Sequence, residues 1–455
     1  MSRRSDTILS GPIGPGVLAI AAPSVITMLV NTANGFLDSF FVGSLGPHAL
    51  AAVGVGMNLS FLLMSAAMAV TVGTTAIVAR AVGEDDIDQA RDATRRSITL
   101  IILIALAAAL PMILLRKPIM HLEGLDAETL PLAADYLLVT LLGMPFQFVM
   151  LTLAAAYRGI GDTIRPFYVT LGACLVHALF NWLLIFGNLG FPKLGLTGGA
   201  IAMALSQLAA MVLFFALLPR TRLGALWGGD WRLDSAWAKR LCAIGLPAAG
   251  QQVLRVGSMT LFQTLVGRFG AGSAAIAALS IGLRSESLAF MPGFGYSIAS
   301  SAFVGQNLGA NQPERARRGA WIATYQAMAV MSFMGLIFYT FAEPFVRLFV
   351  REGRPDEVQK TVELAVAYLR IAAISEPFLA LGMVLTGALQ GAGETKSPTY
   401  ITAITMVVFR LPMAWLLLHL FGVHGAWWAM SISTIIQGLA VVWLFRRGTW
   451  LTTRV

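Results

Sequence analysis

Apolar segments of about twenty residues or more recur from one end of the chain to the other. They lie at roughly 14–42, 50–79, 96–115, 134–157, 166–189, 197–218, 240–266, 276–304, 318–341, 364–389, 399–421 and 425–445. Each is long enough to cross ~30 Å of hydrocarbon as a helix. Lipid offers the backbone no water, so a spanning segment must satisfy its own N–H and C=O groups, as a helix does. The ten-residue alternation of a membrane barrel is absent. The fold class is therefore all-α integral membrane, with twelve transmembrane helices. Composition agrees: 57% of the residues are hydrophobic and 12% charged, whereas a soluble domain carries about 25% charged residues.

Arg3 and Arg4 precede the first apolar run. No A-x-A-like site comes after it, and the run continues into a full span, so no cleavable signal is expected. Cys174 and Cys242 sit in or at the edge of different spans and imply neither a disulfide framework nor a metal site. Lys and Arg concentrate in the tails and loops that face one side when the N-terminus is placed inside, so both termini are expected to be cytoplasmic. The net charge of +9 then records that bias. Spread over short loops and tails, it does not make a nucleic-acid surface. Short loops and the missing signal suit a bacterial-type inner membrane.

The chain repeats itself. LAIAAPSV around Pro23 matches CAIGLPAA around Pro247, and FVGSLG ending at Gly46 matches LVGRFG ending at Gly270. RAVGEDDIDQAR, ending at Arg91, aligns with QNLGANQPERAR, ending at Arg317; YRGIGDTIRP, ending at Pro166, aligns with LQGAGETKSP, ending at Pro398. The order is kept at a separation of about 224 to 232 residues. The longest polar connection, Pro219 to Arg240, separates the copies. The expected organisation is an N-lobe over 1–218, a cytoplasmic linker over 219–239 and a C-lobe over 240–455. An even number of spans in each half makes both enter the membrane in the same direction, so the two six-helix lobes should be related by a pseudo-twofold axis along the membrane normal. A cleft between such lobes is where transporters of this build bind.

Within the first span, LAIAAPSVITMLVNTANGFLDSFFVG, one carboxylate lies in an otherwise apolar helix. Burying Asp38 in lipid is costly, so it should face a polar interior. Asn31, Asn34 and Asp38, at i, i+3 and i+7, share its face. Pro23, about four turns earlier, can bend the helix. A structural acid bonded to a neighbouring helix is the plainer alternative.

FLDSFFVGSLGPHALAAVG in the first half and LVGRFGAGSAAIAALSIGLRSESLAFMPGFGYSIASSAFVGQNLGANQPERARR in the second resemble the multidrug and toxic compound extrusion (MATE) transporters, from about Ile13 to Leu444. The resemblance implies a twelve-helix, two-lobed antiporter that expels amphiphilic, often cationic, compounds while protons or sodium ions enter. Asp38 matches the family's first-helix coupling acid. HALFNWLLIFG resembles a fifth-helix pattern of an Asn followed four residues later by Asp or Asn; here His177 takes the first position and Asn181 the second. Asp38 is then the N-lobe proton candidate, with Asn34 and Asn181 as partners. His177 can titrate near neutrality or be simply hydrogen-bonded. The acids that NorM-like members carry on the seventh and tenth helices align with Arg255 and Leu379, which places the chain nearer the DinF-like members and weakens a sodium site. RSESLAFMPGFG and RLPMAWLL also resemble family patterns. Arg255, Arg284, Glu286, Glu376 and Arg410 are second-tier coupling or charge-pairing residues, their simplest role being mutual neutralisation. Glu376, directly before Pro377, alternatively secures a helix break.

Flexible methionines suit a cavity that repacks around different guests. Met64, Met68, Met144, Phe148 and Met150, with Asn31, Gln251 and Gln252, are the candidate cavity residues; for most Met and Phe a core role is the plainer reading. Gly54, Gly56, Gly293 and Gly295 should let helices approach closely. No P-loop, zinc-ligand spacing or Gly-x-Ser-x-Gly elbow is present, so no enzyme activity and no cofactor is expected, and transport must draw on an ion gradient. The expectation is a monomeric, proton-coupled exporter of small amphiphiles in the lipid bilayer, with sodium as the alternative ion. A lipid or lipid-linked oligosaccharide flippase of the same superfamily is the rival reading, in which Arg255, Arg284 and Arg410 meet a pyrophosphate.

Overall fold

The computed structural model describes residues 8–453 except 124, 127, 271 and 350–354. The termini, with Arg3 and Arg4, lie outside the described residues. The first half runs through α1 (Ile13–Gly43), α2 (Pro47–Gly83), α3 (Ile87–Leu114), a short α4 (Arg116–Leu122), α5 (Thr129–Gly159), α6 (Ile164–Phe186) and α7 (Gly195–Leu217). The second runs through α8 (Ser235–Phe269), α9 (Ser273–Gly309), α10 (Pro313–Thr340), a short α11 (Ala342–Arg347) and α12 (Pro355–Gly391). It continues with α13 (Lys396–Ala403), a π-helical segment Ile404–Phe409, α14 (Arg410–Phe421) and α15 (Val423–Arg447).

Among the described residues, 11 helices are long and apolar enough to cross a membrane, α13 and α14 counting as one span through Phe421. The predicted span at 240–266 falls on α8, which has 35 residues and so ample length. Gln251, Gln252, Arg255 and Arg268 make it less apolar than the others.

The backbone repeats with the sequence. Between α2 and α3 the chain turns through Asp85 at φ 59°, and between α9 and α10 through Asn311 at φ 55°. Asp and Asn tolerate this left-handed conformation better than other residues with a Cβ. Asp86 then caps α3, its Oδ1 accepting from the Gln89 N–H at 2.9 Å, which satisfies one orphan donor of the first turn.

The compact units are not the two contiguous sequence halves. One comprises Ile26–Ala249 with Gly309–Asn311, the other Met1–Val25, Gly250–Leu308 and Gln312–Arg454. Thus α1 changes unit two residues after Pro23, and α8 two residues after Pro247. In the first unit Trp237, Leu241 and Ile244 from the start of α8 join a core with Phe148, Leu153, Tyr157 and Phe214. In the second, Val17, Ile20 and Ala21 from the start of α1 pack with Tyr296, Phe303 and Met331.

Lipid tails are as apolar as leucine, so helices associate mainly through close packing. Of the four glycines expected to allow it, Gly56 lies where a Cβ would come within 2.8 Å of the Tyr136 ring, Gly293 within 2.9 Å of the Met331 sulfur, and Gly295 against Val25. Gly54 faces open space instead. Prolines stay inside helices: α1 is continuous through Pro23 and α12 through Pro377, so no helix break follows Glu376. Pro377 cannot bond the Ala373 carbonyl, and that oxygen faces Gly335 of α10, 3.2 Å from where a Cβ would stand. Glycine at 335 leaves room for a carbonyl that the proline has freed.

Candidate functional site

In the first-half unit, α1 and α6 bring four polar side chains together. Asn34 and Asp38 lie one turn apart on α1, as do His177 and Asn181 on α6. His177 is 2% and Asn181 1% exposed; the Asp38 side chain keeps 17% exposure. His177 Nδ1 is 3.1 Å from Asn34 Oδ1. That oxygen can only accept, so Nδ1 carries the hydrogen. Nε2 is then free to accept from Asn181 Nδ2 at 3.2 Å. The same amide reaches toward Asp38 Oδ1 at 3.5 Å, and His177 Nε2 lies 3.7 Å from that oxygen. The Asn181 Oδ1 is buried without a partner. A proton arriving on Asp38 or on Nε2 would be a new donor, and rotating the Asn181 amide by half a turn presents this idle acceptor to it. Tyr136 of α5, 8% exposed, lies within electrostatic reach of Asp38; on an apolar helix nothing in its spacing announces this.

The second-half unit holds a cavity of about 280 Å³. α8 contributes Arg255 and Met259, α9 Glu286, Phe290 and Phe294, and α12 Phe378, Gly382 and Met383. Met406 of the π-helical segment, Arg410 of α14, and Met430, Thr434 and Gln437 of α15 close it. The Tyr368 hydroxyl, fully buried on α12, donates to Glu286 Oε2. Arg410 Nε donates to Ser433 Oγ at 2.7 Å and a terminal nitrogen to Thr434 Oγ1 at 3.2 Å. Ser258 Oγ of α8 donates to the Met406 carbonyl at 3.0 Å. Arg255 Nε is buried without a partner. Among the described residues none of Glu286, Glu376, Arg255 and Arg410 forms an ion pair within 4.0 Å.

The two places correspond. At the repeat's separation of 224, Asn31 aligns with Arg255, Asn34 with Ser258 and Asp38 with Phe262. HALFNWLL, from His177, aligns with RLPMAWLL, from Arg410, at 233, one more than the 232 between Pro166 and Pro398. The π-helical segment between Pro398 and Arg410 takes up that extra residue. Arg410 thus stands where the first half has His177.

A profile of the MatE family matches residues 23–183 and 247–416, one stretch in each half. The chain belongs to the MatE family. It is a multi-pass membrane transporter of the multidrug-efflux type, not an enzyme. It is 28% identical over 445 residues to the probable multidrug resistance protein NorM of Thermotoga maritima, covering 95% of this chain and 92% of that one. To the probable NorM of Mesorhizobium japonicum it is 30% identical over 450 residues, with 95% and 92% covered. An FAD transporter of Shewanella oneidensis is 27% identical over 444 residues, with 97% and 96% covered. Solved structures share the twelve-helix fold. A MATE in complex with MaL6 superposes with a TM-score of 0.90 at 22% identity, over 98% of each chain. Vibrio cholerae VcmN in the bent form gives 0.87 at 22%, over 96% of this chain and 97% of that one.

Of the residues singled out in this MatE sequence, Asp38, Asn34, His177 and Asn181 meet, and Arg255, Glu286 and Arg410 share a cavity. The others go elsewhere. Arg284 is exposed, so it does not neutralise Glu286. Glu376, 1% exposed, has neither carboxyl oxygen hydrogen-bonded and does not line the cavity. Met144 and Phe148 are filled core, and Met64 and Met150 pack against that core. Met68 and Asn31 are exposed and Gln252 half-buried. Gln251 is buried and spent on helix packing: its amide donates to Thr402 Oγ1 at 2.8 Å, and its oxygen accepts from Gln390 at 3.2 Å. The methionine-lined space expected in the first half lies in the second, on Met259, Met383, Met406 and Met430.

Proposed function

We propose that this MatE protein is a proton-coupled antiporter that exports small amphiphilic, often cationic, compounds by alternating access, with the Asp38 cluster as its coupling site. The convergence of Asp38, His177, Asn34 and Asn181 carries this reading. A carboxylate with one long hydrogen bond, an imidazole and an amide with an idle oxygen can take up a proton by exchanging hydrogen bonds. No fixed cation in the cluster locks Asp38 in its charged form.

The proposed coupling runs along α1. When Asp38 is charged, Asn181 Nδ2 and the solvated face hold the helix in one packing; a proton removes the charge and allows another. Because α1 up to Val25 belongs to the other compact unit from Asp38, a change at Asp38 is proposed to be transmitted through Pro23, whose missing N–H makes bending cheap there. VcmN, similar in fold, is known in a bent form, and this chain is proposed to reach the like.

Retention of the first-half acid, with Arg255 and Leu379 where NorM-like members carry acids, supports a DinF-like rather than NorM-like mechanism, although the relatives above are named NorM. The excess of Lys and Arg in loops of one side supports cytoplasmic termini, and relatives from bacteria support an inner membrane. The single-chain fold supports a monomer.

The test is efflux of a fluorescent lipophilic cation from proteoliposomes under an imposed pH or sodium gradient. Efflux driven by pH in the wild type and absent in Asp38→Asn is the expected result. Sodium-driven efflux overturns the proton assignment, and pH-driven efflux that survives in Asp38→Asn overturns the site.

A further inference from the structure

The second-half cavity poses an electrostatic problem that its own residues do not solve. Two guanidiniums line it, Arg255 and Arg410, and a guanidinium does not lose its proton in a protein. Arg410 spends two of its donors on the neutral hydroxyls of Ser433 and Thr434, which fix its direction and leave its charge in place. Arg255 keeps a buried Nε with no acceptor. Glu286 is the single carboxylate on the wall, and it already accepts from Tyr368. Glu376 sits outside the wall. A buried cation without a paired counter-charge is costly in a membrane interior, and along this mostly apolar wall two guanidiniums face one carboxylate, Glu376 having neither oxygen bonded to them.

The geometry points to a small aromatic anion as the missing partner: we propose that the second-half cavity is a binding site for amphiphiles bearing a carboxylate or sulfonate. The charged head meets Arg255 and Arg410, whose planar forks suit paired oxygens. The ring packs on Phe290 and Phe294 and on the adaptable methionines. The volume of about 280 Å³ lies near the lower end of small-molecule pockets, about 300–1,000 Å³, so a one- or two-ring compound fits and a two-chain lipid does not. The π-helical turn immediately before Arg410 is a further sign of function, since such turns recur at working sites and redirect the residues after them. This site stands independently of the Asp38 cluster, and binding needs no gradient, so it and the coupling proposal fail separately.

The experiment is equilibrium binding of 1-naphthalenesulfonate to the full chain in phosphatidylcholine nanodiscs, with empty discs subtracted. The comparison ligand is 1-naphthylmethylammonium, equal in ring and opposite in charge. The wild type should bind the sulfonate at least tenfold more tightly than the ammonium. Arg255→Gln should weaken the sulfonate roughly 10- to 100-fold, as expected for loss of a hydrogen bond between charged groups, and Arg255→Lys should recover part of it. Gly382→Leu is the second variant. Gly382 lines the cavity, and a Cβ there meets only Gly438, at 3.7 Å, so the new side chain fills the space without altering charge and should also remove binding. Preference for the ammonium, or sulfonate binding indifferent to both Arg255→Gln and Gly382→Leu, overturns the proposal. So does loss of sulfonate binding in phosphatidylglycerol discs, which would assign the cavity to a lipid headgroup.

Discussion

The α1–α6 cluster and its repeat counterpart on α8 and α14 start from the same duplicated scaffold and hold opposite chemistry. In the first half Asp38 faces His177; in the second, the aligned residues are Phe262, fully buried, and Arg410. In the proposed mechanism the first set changes charge when Asp38 or His177 takes one proton, and the unpartnered Asn181 Oδ1 can accept a hydrogen bond from that new donor once its amide rotates. The second carries charge that no physiological pH removes, held by hydroxyls and a phenol. On the proposed reading, duplication has left one copy as a titrating element and the other as a fixed electrostatic surface.

The largest test of this contrast is to abolish the titration. Asp38→Asn should reduce pH-driven efflux of a lipophilic cation to background while dye binding to the purified protein persists. Importing the second half's residue should do nearly as much. His177→Arg places a permanent cation beside the Asp38 carboxylate, which lies 3.7 Å from His177 Nε2; it should lock that carboxylate charged and remove the pH dependence of transport. His177→Gln, which keeps a donor and an acceptor, should retain efflux with a displaced pH midpoint. Equal effects of the arginine and glutamine variants would break the contrast. On the other side, Tyr368→Phe removes a donor to Glu286 and should cost about 1.5–3 kcal/mol in thermal or denaturant stability, with pH-driven efflux little changed; a loss of coupling instead would mean that the second half also titrates.

The smallest effect belongs outside the membrane. Asp126 Oδ1 accepts from the Thr129 backbone N–H at 2.6 Å at the start of α5, and this bond holds its carboxyl below the ordinary 3.8. A depressed carboxylate contributes stability above its unfolded pKa and loses it as pH falls through the folded one. Asp126→Asn should therefore be slightly less stable than wild type at neutral pH, the gap closing as pH drops below about 3.8. A gap that widens in acid would contradict the assignment.

Much of this was legible before any coordinates. Apolar run length marks the helices, because lipid forbids an unsatisfied backbone. Spacing along one helix puts Asn34 with Asp38 and His177 with Asn181, and repeated landmarks expose the duplication. Spacing cannot supply the rotation of one helix against another. Arg284 and Glu286 are two residues apart, yet only Glu286 turns inward. Tyr368 looks like core until its hydroxyl is found on Glu286. Met144 fills a core while Met406 lines a cavity, although both are methionines in apolar helices. The extra residue in the π-helical segment rotates the rest of that span by about 100°, so the HALFNWLL and RLPMAWLL faces correspond only once it is recognised.

The exchange of helix beginnings makes the two halves depend on each other. Residues 8–25 complete the core of the unit built from the second half, and the start of α8 completes the unit built from the first. Either half without the other's leading helix would leave that part of its core uncovered. The two halves lend each other their leading helix and so close both cores, as domain-swapped dimers do. With both copies on one chain, each unit's leading helix is supplied by a covalently tethered neighbour, so the exchange holds at any protein concentration.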